Sequence, residues 1–226
     1  AMDLIFERMP ATLELVAVAA CLVLCIAIPL GVYAGAYPKR ASSKLIMSGS
    51  ILGISLPSFW VGMMMIYIFA VVLRLLPASG RGNTVMVGNV ALSIFAPGGI
   101  RYVILPAITL ALTNVATMLR LTRSGILENM RQDYIKFARA KGVPAKSILF
   151  GHALKNALIP VVTIFGMDLG NMIAFTTITE TIFAWPGMGK LLIDAINKSD
   201  RPIIVAYLMA AACMFVVLNF IVDILY

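Results

Sequence analysis

Asp168 stands inside a run, Asn156–Thr179, that carries no other charge, and Asn171 follows it by one helical turn. Asn114 is a neutral polar companion in a second apolar run. A carboxylate in hydrocarbon costs several kcal/mol unless it meets water or a partner. Its uses there are contact with a passing solute or a proton relay; the alternative is a carboxylate facing a solvated cavity or an adjacent subunit, with no direct role. Asn114, Asp168 and Asn171 are therefore candidate lining residues of a substrate path. Glu14 and Glu180 lie near the ends of their apolar runs and are expected to reach the membrane interface. Hydrolytic and nucleotide chemistry find no residues to carry them. His152 is the sole histidine, so no H-E-x-x-H pair can hold zinc, and neither a G-x-S-x-G elbow nor a G-x-x-x-x-G-K-[ST] loop occurs. Cys21, Cys25 and Cys213 all fall in apolar runs and read as small lipid- or core-facing residues.

The elements that must position these residues follow from composition. The chain is 61% hydrophobic and only 12% charged, with a mean hydropathy of +0.98. A soluble fold cannot hide that much apolar surface, so the bilayer is the expected solvent. Leu15–Tyr37, Leu45–Leu73, Tyr102–Leu119 and Pro202–Val222 carry no charge, and each is near or above the ~20 residues that cross ~30 Å of hydrocarbon. With the Asp168 run they predict an all-α, polytopic transmembrane bundle. Its five spans fall at about 11–37, 45–73, 102–121, 156–180 and 202–224. None alternates as a membrane β-strand would. Three G-x-x-x-G pairs, Gly31/Gly35, Gly49/Gly53 and Gly166/Gly170, predict close helix packing. "GISLPSFW" predicts a kink at Pro57.

Five spans leave the two ends on opposite sides. The Lys39–Lys44 turn and the Arg120–Lys155 segment share one side and hold eleven of the 18 Lys and Arg residues. That excess marks the cytoplasm, which puts residue 1 outside and residue 226 in the cytoplasm. Lipid headgroups and a cytoplasmic partner account for the net charge of +8 without nucleic acid. "ERMPATLEL" reads as a helix opening at Pro10. A chain that begins outside with no signal sequence is expected to be a fragment lacking an N-terminal span.

The segment 122–155 breaks the apolar pattern. Leu121–Lys141 predicts a helix that continues the third span and then turns along the membrane. In "QDYIKFARAKG", Tyr134, Phe137, Ala138 and Lys141 fall on one helical face, with Lys136 and Arg139 on others. Gly142 is placed to end the helix in a left-handed cap, and Pro144 to open the next one. Such a helix either lies on headgroups or inserts in a partner's groove.

"DYIKFARAKGVPAKSILFGHALKNALIPVVT" and "TETIFAWPGMGKLLIDAI", with "PATLEL", "LPASGRG", "ILPAITLAL" and "LTRSGILE", resemble the inner-membrane permeases of dipeptide, oligopeptide and nickel ABC importers. The likeness runs over essentially the whole chain in family order. It implies a type I ABC importer permease fold with a cytoplasmic coupling helix, made of Tyr134, Lys136, Phe137, Ala138, Arg139, Ala140, Lys141 and Gly142, that docks on an ATPase subunit. The superfamily motif E-A-A-x-x-x-G with I-x-L-P matches here only at Ala138, Gly142 and Leu154. The resemblance therefore carries over docking without a glutamate-mediated contact.

The resemblance further implies a second homologous permease subunit, two ATPase subunits that bind ATP and Mg, and an extracytoplasmic substrate-binding protein. No cofactor is expected on this chain, and it is expected not to be an enzyme. Import of di- or oligopeptides by ATP-driven alternating access is the main reading. Nickel chelates or glutathione-like solutes are the alternatives within the family. An ion-coupled secondary transporter using Asp168 is the alternative outside it.

Overall fold

The computed structural model describes residues 1–88 and 90–225. It is a helix bundle, as the charge-free runs predict. Helix α1 (Met2–Ala36), α2 (Ala41–Ser55) and α3 (Ser58–Met65, continuing as a π-helical stretch Ile66–Val72) precede a short antiparallel hairpin of β1 (Val85–Val87) and β2 (Val90–Leu92). Then come α4 (Ile100–Asn129), α5 (Asp133–Ala140) and α6 (Ala145–Ser147). A π-helical stretch, Ile148–Ala153, leads from α6 into α7 (Leu154–Ile182), followed by α8 (Met188–Asn197) and α9 (Arg201–Leu225).

Four helical stretches are long and apolar enough to cross a membrane: Met2–Ala36, Ile100–Asn129, Ala145–Ile182 and Arg201–Ile221. The run expected to span as residues 45–73 is a pair of helices bent by 104° at the predicted Pro57 kink, and it makes a fifth span if the bent pair crosses as one. Proline supplies the cause, since it forces the preceding residue out of the α region, and Leu56 sits at ψ 130°. Helix α1 also begins earlier than Pro10 suggests. Ile5 is fully buried beside Met188 and Tyr207, so tertiary packing carries the helix past its proline. The predicted cytoplasmic terminus, Tyr226, lies outside the described residues.

The core sits where α1, α4 and α7 meet, around Leu15, Val23, Ala107, Met118, Val161 and Trp185. Close approach of α1 to α4 depends on glycine. A Cβ on Gly31 would lie 2.7 Å from Thr122 Cβ, and one on Gly35 would lie 2.7 Å from Ile126 Cβ. Gly170 similarly admits the Phe215 ring of α9. Gly49, by contrast, faces open space, and of the second G-x-x-x-G pair only Gly53 packs on α4, with a Cβ there 3.6 Å from Ala116 Cβ. Outward faces are apolar: Val205, Leu208, Met209, Phe215 and Val216 of α9 are exposed, as suits a lipid-facing surface.

Candidate functional site

The three polar residues singled out within apolar runs come together. Asn114 of α4 and Asp168 and Asn171 of α7 line one cavity of about 310 Å³, closed on a third side by Ser58 of α3. Thr113 and Phe175 complete much of the wall. That volume is at the low end of the ~300–1,000 Å³ typical of small-molecule sites. The 104° break explains how Ser58 gets there, because a straight second span would carry the chain past α4 and α7.

At the opposite end of α4 from the hairpin, α5 lies against the bundle. Its contact with the bundle is made by a residue outside the predicted stripe. Ile135 is fully buried against Val32, Ile126, Ile148 and Ala157, with Ala138 partly covered beside it. Phe137 is 63% exposed and Tyr134, Lys136, Arg139, Ala140, Lys141 and Gly142 are exposed as well. The single aliphatic residue of the helix seats it, and the aromatic face looks outward.

Tyr134 is nevertheless tied within the chain. Its hydroxyl donates to Asn129 Oδ1 at 2.8 Å and accepts from Asn156 Nδ2 at 3.0 Å, joining the ends of α4 and α7. Lys141 Nζ lies 4.5 Å from the Phe137 ring centroid, a cation–π distance. Lys136 Nζ donates to Asp133 Oδ1 at 2.7 Å and holds that carboxyl below the usual carboxylate range. The pair therefore persists at neutral pH and is lost only as pH falls through the lowered value.

Gly142 takes φ +78°. Its N–H bonds Arg139 O at 3.0 Å and the Val143 N–H bonds Ala138 O at 3.2 Å, which together form a Schellman cap. Since nothing lies near a Cβ there, Gly142→Ala is expected to cost only the left-handed backbone strain, about 1–2 kcal/mol. Hydrogen exchange should quicken over residues 133–143 and stay unchanged in α1 and α4. Unchanged exchange in 133–143 would refute the cap.

The family described as "Binding-protein-dependent transport system inner membrane component" matches residues 27–226. The chain belongs to this family. It is 41% identical over 224 residues to the oligopeptide transport system permease protein AppB of Bacillus subtilis (strain 168), covering 99% of this chain and 69% of that protein. It is 40% identical to the di/tripeptide transport system permease protein DppB of Pseudomonas aeruginosa (strain UCBPP-PA14), over 96% of this chain and 68% of that one. The dipeptide transport system permease protein DppB of Escherichia coli (strain K12) is 36% identical, over 97% of this chain and 69% of that one. Two solved structures share the fold. The MetNI methionine ABC transporter, captured inward facing, gives a TM-score of 0.75 at 16% identity, covering 99% of this chain and 95% of that chain. An amino acid ABC transporter with histidines gives 0.66 at 12%, over 99% and 92%. The chain is a permease subunit with the type I importer fold, a multi-pass membrane protein and not an enzyme.

Three of the sequence segments that carry the resemblance meet in one buried polar knot at the hairpin end of this permease. Glu14 of "PATLEL" is only 4% exposed and faces into the protein. It pairs with Arg81 of "LPASGRG" and accepts the Ser93 N–H at 2.6 Å, the Ser93 hydroxyl at 2.9 Å and the Ile94 N–H at 2.7 Å. Glu180 of "TETIFAWPGMGK" is fully buried too. It accepts from Thr12 Oγ1 at 2.6 Å and from the Lys190 N–H at 3.0 Å, while Thr12 Oγ1 accepts the Met188 N–H at 2.8 Å. Glu180 thus sits at the positive end of α8 and satisfies its free amides. Trp185, fully buried, donates its indole N–H to Ala11 O at 2.9 Å. The Gly80 N–H bonds Phe183 O, which ties the hairpin's approach to the same turn. These acidic residues missed by sequence reasoning had one visible signal, a carboxylate and a lone arginine each bordering long apolar runs.

Proposed function

We propose that this permease translocates di- or oligopeptides across the inner membrane by ATP-driven alternating access. The observation that carries the reading is 36–41% identity, over nearly the whole chain, to permeases whose names specify peptides. In this reading α5 is the coupling helix and the end that carries it faces the cytoplasm. Its outward residues Phe137, Arg139, Ala140 and Lys141 enter a groove on an ATPase subunit, and Ala138 and Gly142 set its angle. Ile135 makes the helix rigidly continuous with α4 and α7, so force on α5 moves the helices that wall the cavity. ATP and Mg act on the two ATPase partners, a second homologous permease completes the path, and an extracytoplasmic protein delivers the solute. Asn114, Asp168 and Asn171 then line the route.

The test is affinity purification of the full-length chain from its native membrane in mild detergent, with mass spectrometry of what accompanies it and uptake of a labelled dipeptide. Wild type is expected to bring a second permease and ATPases. Ala138→Arg is expected to lose the ATPases while keeping the second permease, and to lower uptake by about tenfold or more, because Ala138 packs beside Ile135 and a side chain of that size there pushes α5 off its seat. A wild-type chain that purifies without ATPases and still supports uptake after their deletion would sink the reading.

A further inference from the structure

The cavity of α3, α4 and α7 has a one-sided chemistry. Among the described residues Asp168 is its only charged one, and no Lys, Arg or His lines it. Among the described residues the ion pairs involve Glu14, Asp133 and Asp194, so the Asp168 carboxylate has no cationic partner. It stands midway along α7, opposite Asn114 midway along α4, where membrane water is scarcest. A carboxylate at that depth calls for a compensating cation.

Three of the neutral residues around it, Thr109, Asn114 and Thr117, keep unspent acceptors. Asn114 spends an amide N–H on Leu110 O at 3.3 Å, and no donor within the described residues reaches its Oδ1. Thr109 donates its hydroxyl to Leu105 O at 2.9 Å and Thr117 donates to Thr113 O at 3.2 Å. Each hydroxyl proton is thus committed to its own helix, leaving oxygen lone pairs for the cavity. A group with several N–H donors and a single positive charge fits that set, and a primary ammonium has three. A divalent metal fits poorly, since no cluster of three His, Cys, Asp or Glu side chains exists among the described residues.

We propose that this cavity is a transient subsite for the α-ammonium group of the transported peptide. Asp168 supplies the counter-charge, and Asn114 Oδ1 with the threonine hydroxyls supplies the other acceptors. The proposal rests on the peptide reading above. Binding is weak by construction, with a Kd on the order of 1 mM, because one charge pair holds a solute that must leave again.

Saturation-transfer NMR suits that range. The probes are dialanine, N-acetyl-dialanine and dialanine amide, added to the complete importer in detergent without its binding protein. Dialanine and its amide are expected to give signal, and the acetylated peptide about tenfold less. Asp168→Asn should reduce the two ammonium peptides to the acetylated level, and Asp168→Glu should restore the difference. Retained ATPase co-purification and an unchanged melting temperature identify variants that fold. The subsite is overturned if wild type binds acetylated and free dialanine alike, if dialanine gives no signal, or if Asp168→Asn still discriminates. Uptake of labelled dialanine into proteoliposomes with binding protein and ATP separates the two failures. Uptake without amine discrimination in the NMR removes the subsite alone, whereas no uptake of any peptide removes the peptide reading as well.

Discussion

Arg81→Ala is expected to destabilise the folded permease by about 3–5 kcal/mol, the range for stripping a buried charge of its partner. The Glu14 side chain is fully buried and that of Arg81 only 11% exposed, so water cannot replace the guanidinium. Three neutral donors from Ser93 and Ile94 remain on the carboxylate, which places the loss nearer ~3 kcal/mol than ~5. Arg81 also bonds Ala91 O at 2.6 Å, so the same change removes one of the ties between β2 and α1. Glu14→Gln is expected to cost less, about 1–3 kcal/mol, because its amide N–H₂ must then face donors. The double variant Glu14→Gln/Arg81→Ala should fall well short of the sum, since it leaves no lone charge behind. Unfolding in mixed detergent and SDS micelles gives the three values. An Arg81→Ala protein within about 1 kcal/mol of wild type would mean the pair is solvated and the knot is not one unit.

That pair also marks the limit of what the sequence discloses. The bundle is readable from long charge-free runs because backbone satisfaction in lipid leaves helices as the natural answer. Asn114, Asp168 and Asn171 stand out for the same reason, being polar exceptions in apolar stretches, and the fold gathers them in one cavity. Gly142 is readable too, since a glycine before Val-Pro has few other uses, and it adopts the left-handed cap.

Glu14 and Glu180 were not readable as buried. Their position near the end of an apolar run says how deep they lie but not which way they face. Their partners stand 67 and 168 residues away in the chain. The hairpin gave no periodic signal because its strands are three residues each. The seat of α5 was not readable for a related reason. Periodicity finds a stripe of Tyr134, Phe137, Ala138 and Lys141, but an eight-residue helix can be seated by one aliphatic side chain, and Ile135 does so.

Trp185→Ala is the second large loss, about 3–5 kcal/mol, as for other buried aromatic truncations. Trp185 is the largest fully buried side chain and fills the core between α1, α4 and α7. Its placement needs a strained neighbour: Ala184 holds φ at 46°, which costs about 1–2 kcal/mol and is sustained by the indole's burial. Trp185→Phe keeps most of the volume but drops the N–H to Ala11 O, and should lose only about 1–2 kcal/mol. The Arg81 guanidinium carbon lies 5.6 Å from the Trp185 ring centroid, so the two large effects are not independent. Once the indole is gone, Arg81 loses a wall of its site, and Glu14, Thr12 and Glu180 lose the packing that keeps them dry. Arg81→Ala/Trp185→Ala should therefore cost less than the two singles added, by about 1 kcal/mol or more. Full additivity would mean that the hairpin, α1 and the turn before α8 are held separately. Coupling would mean that they are fixed as one body.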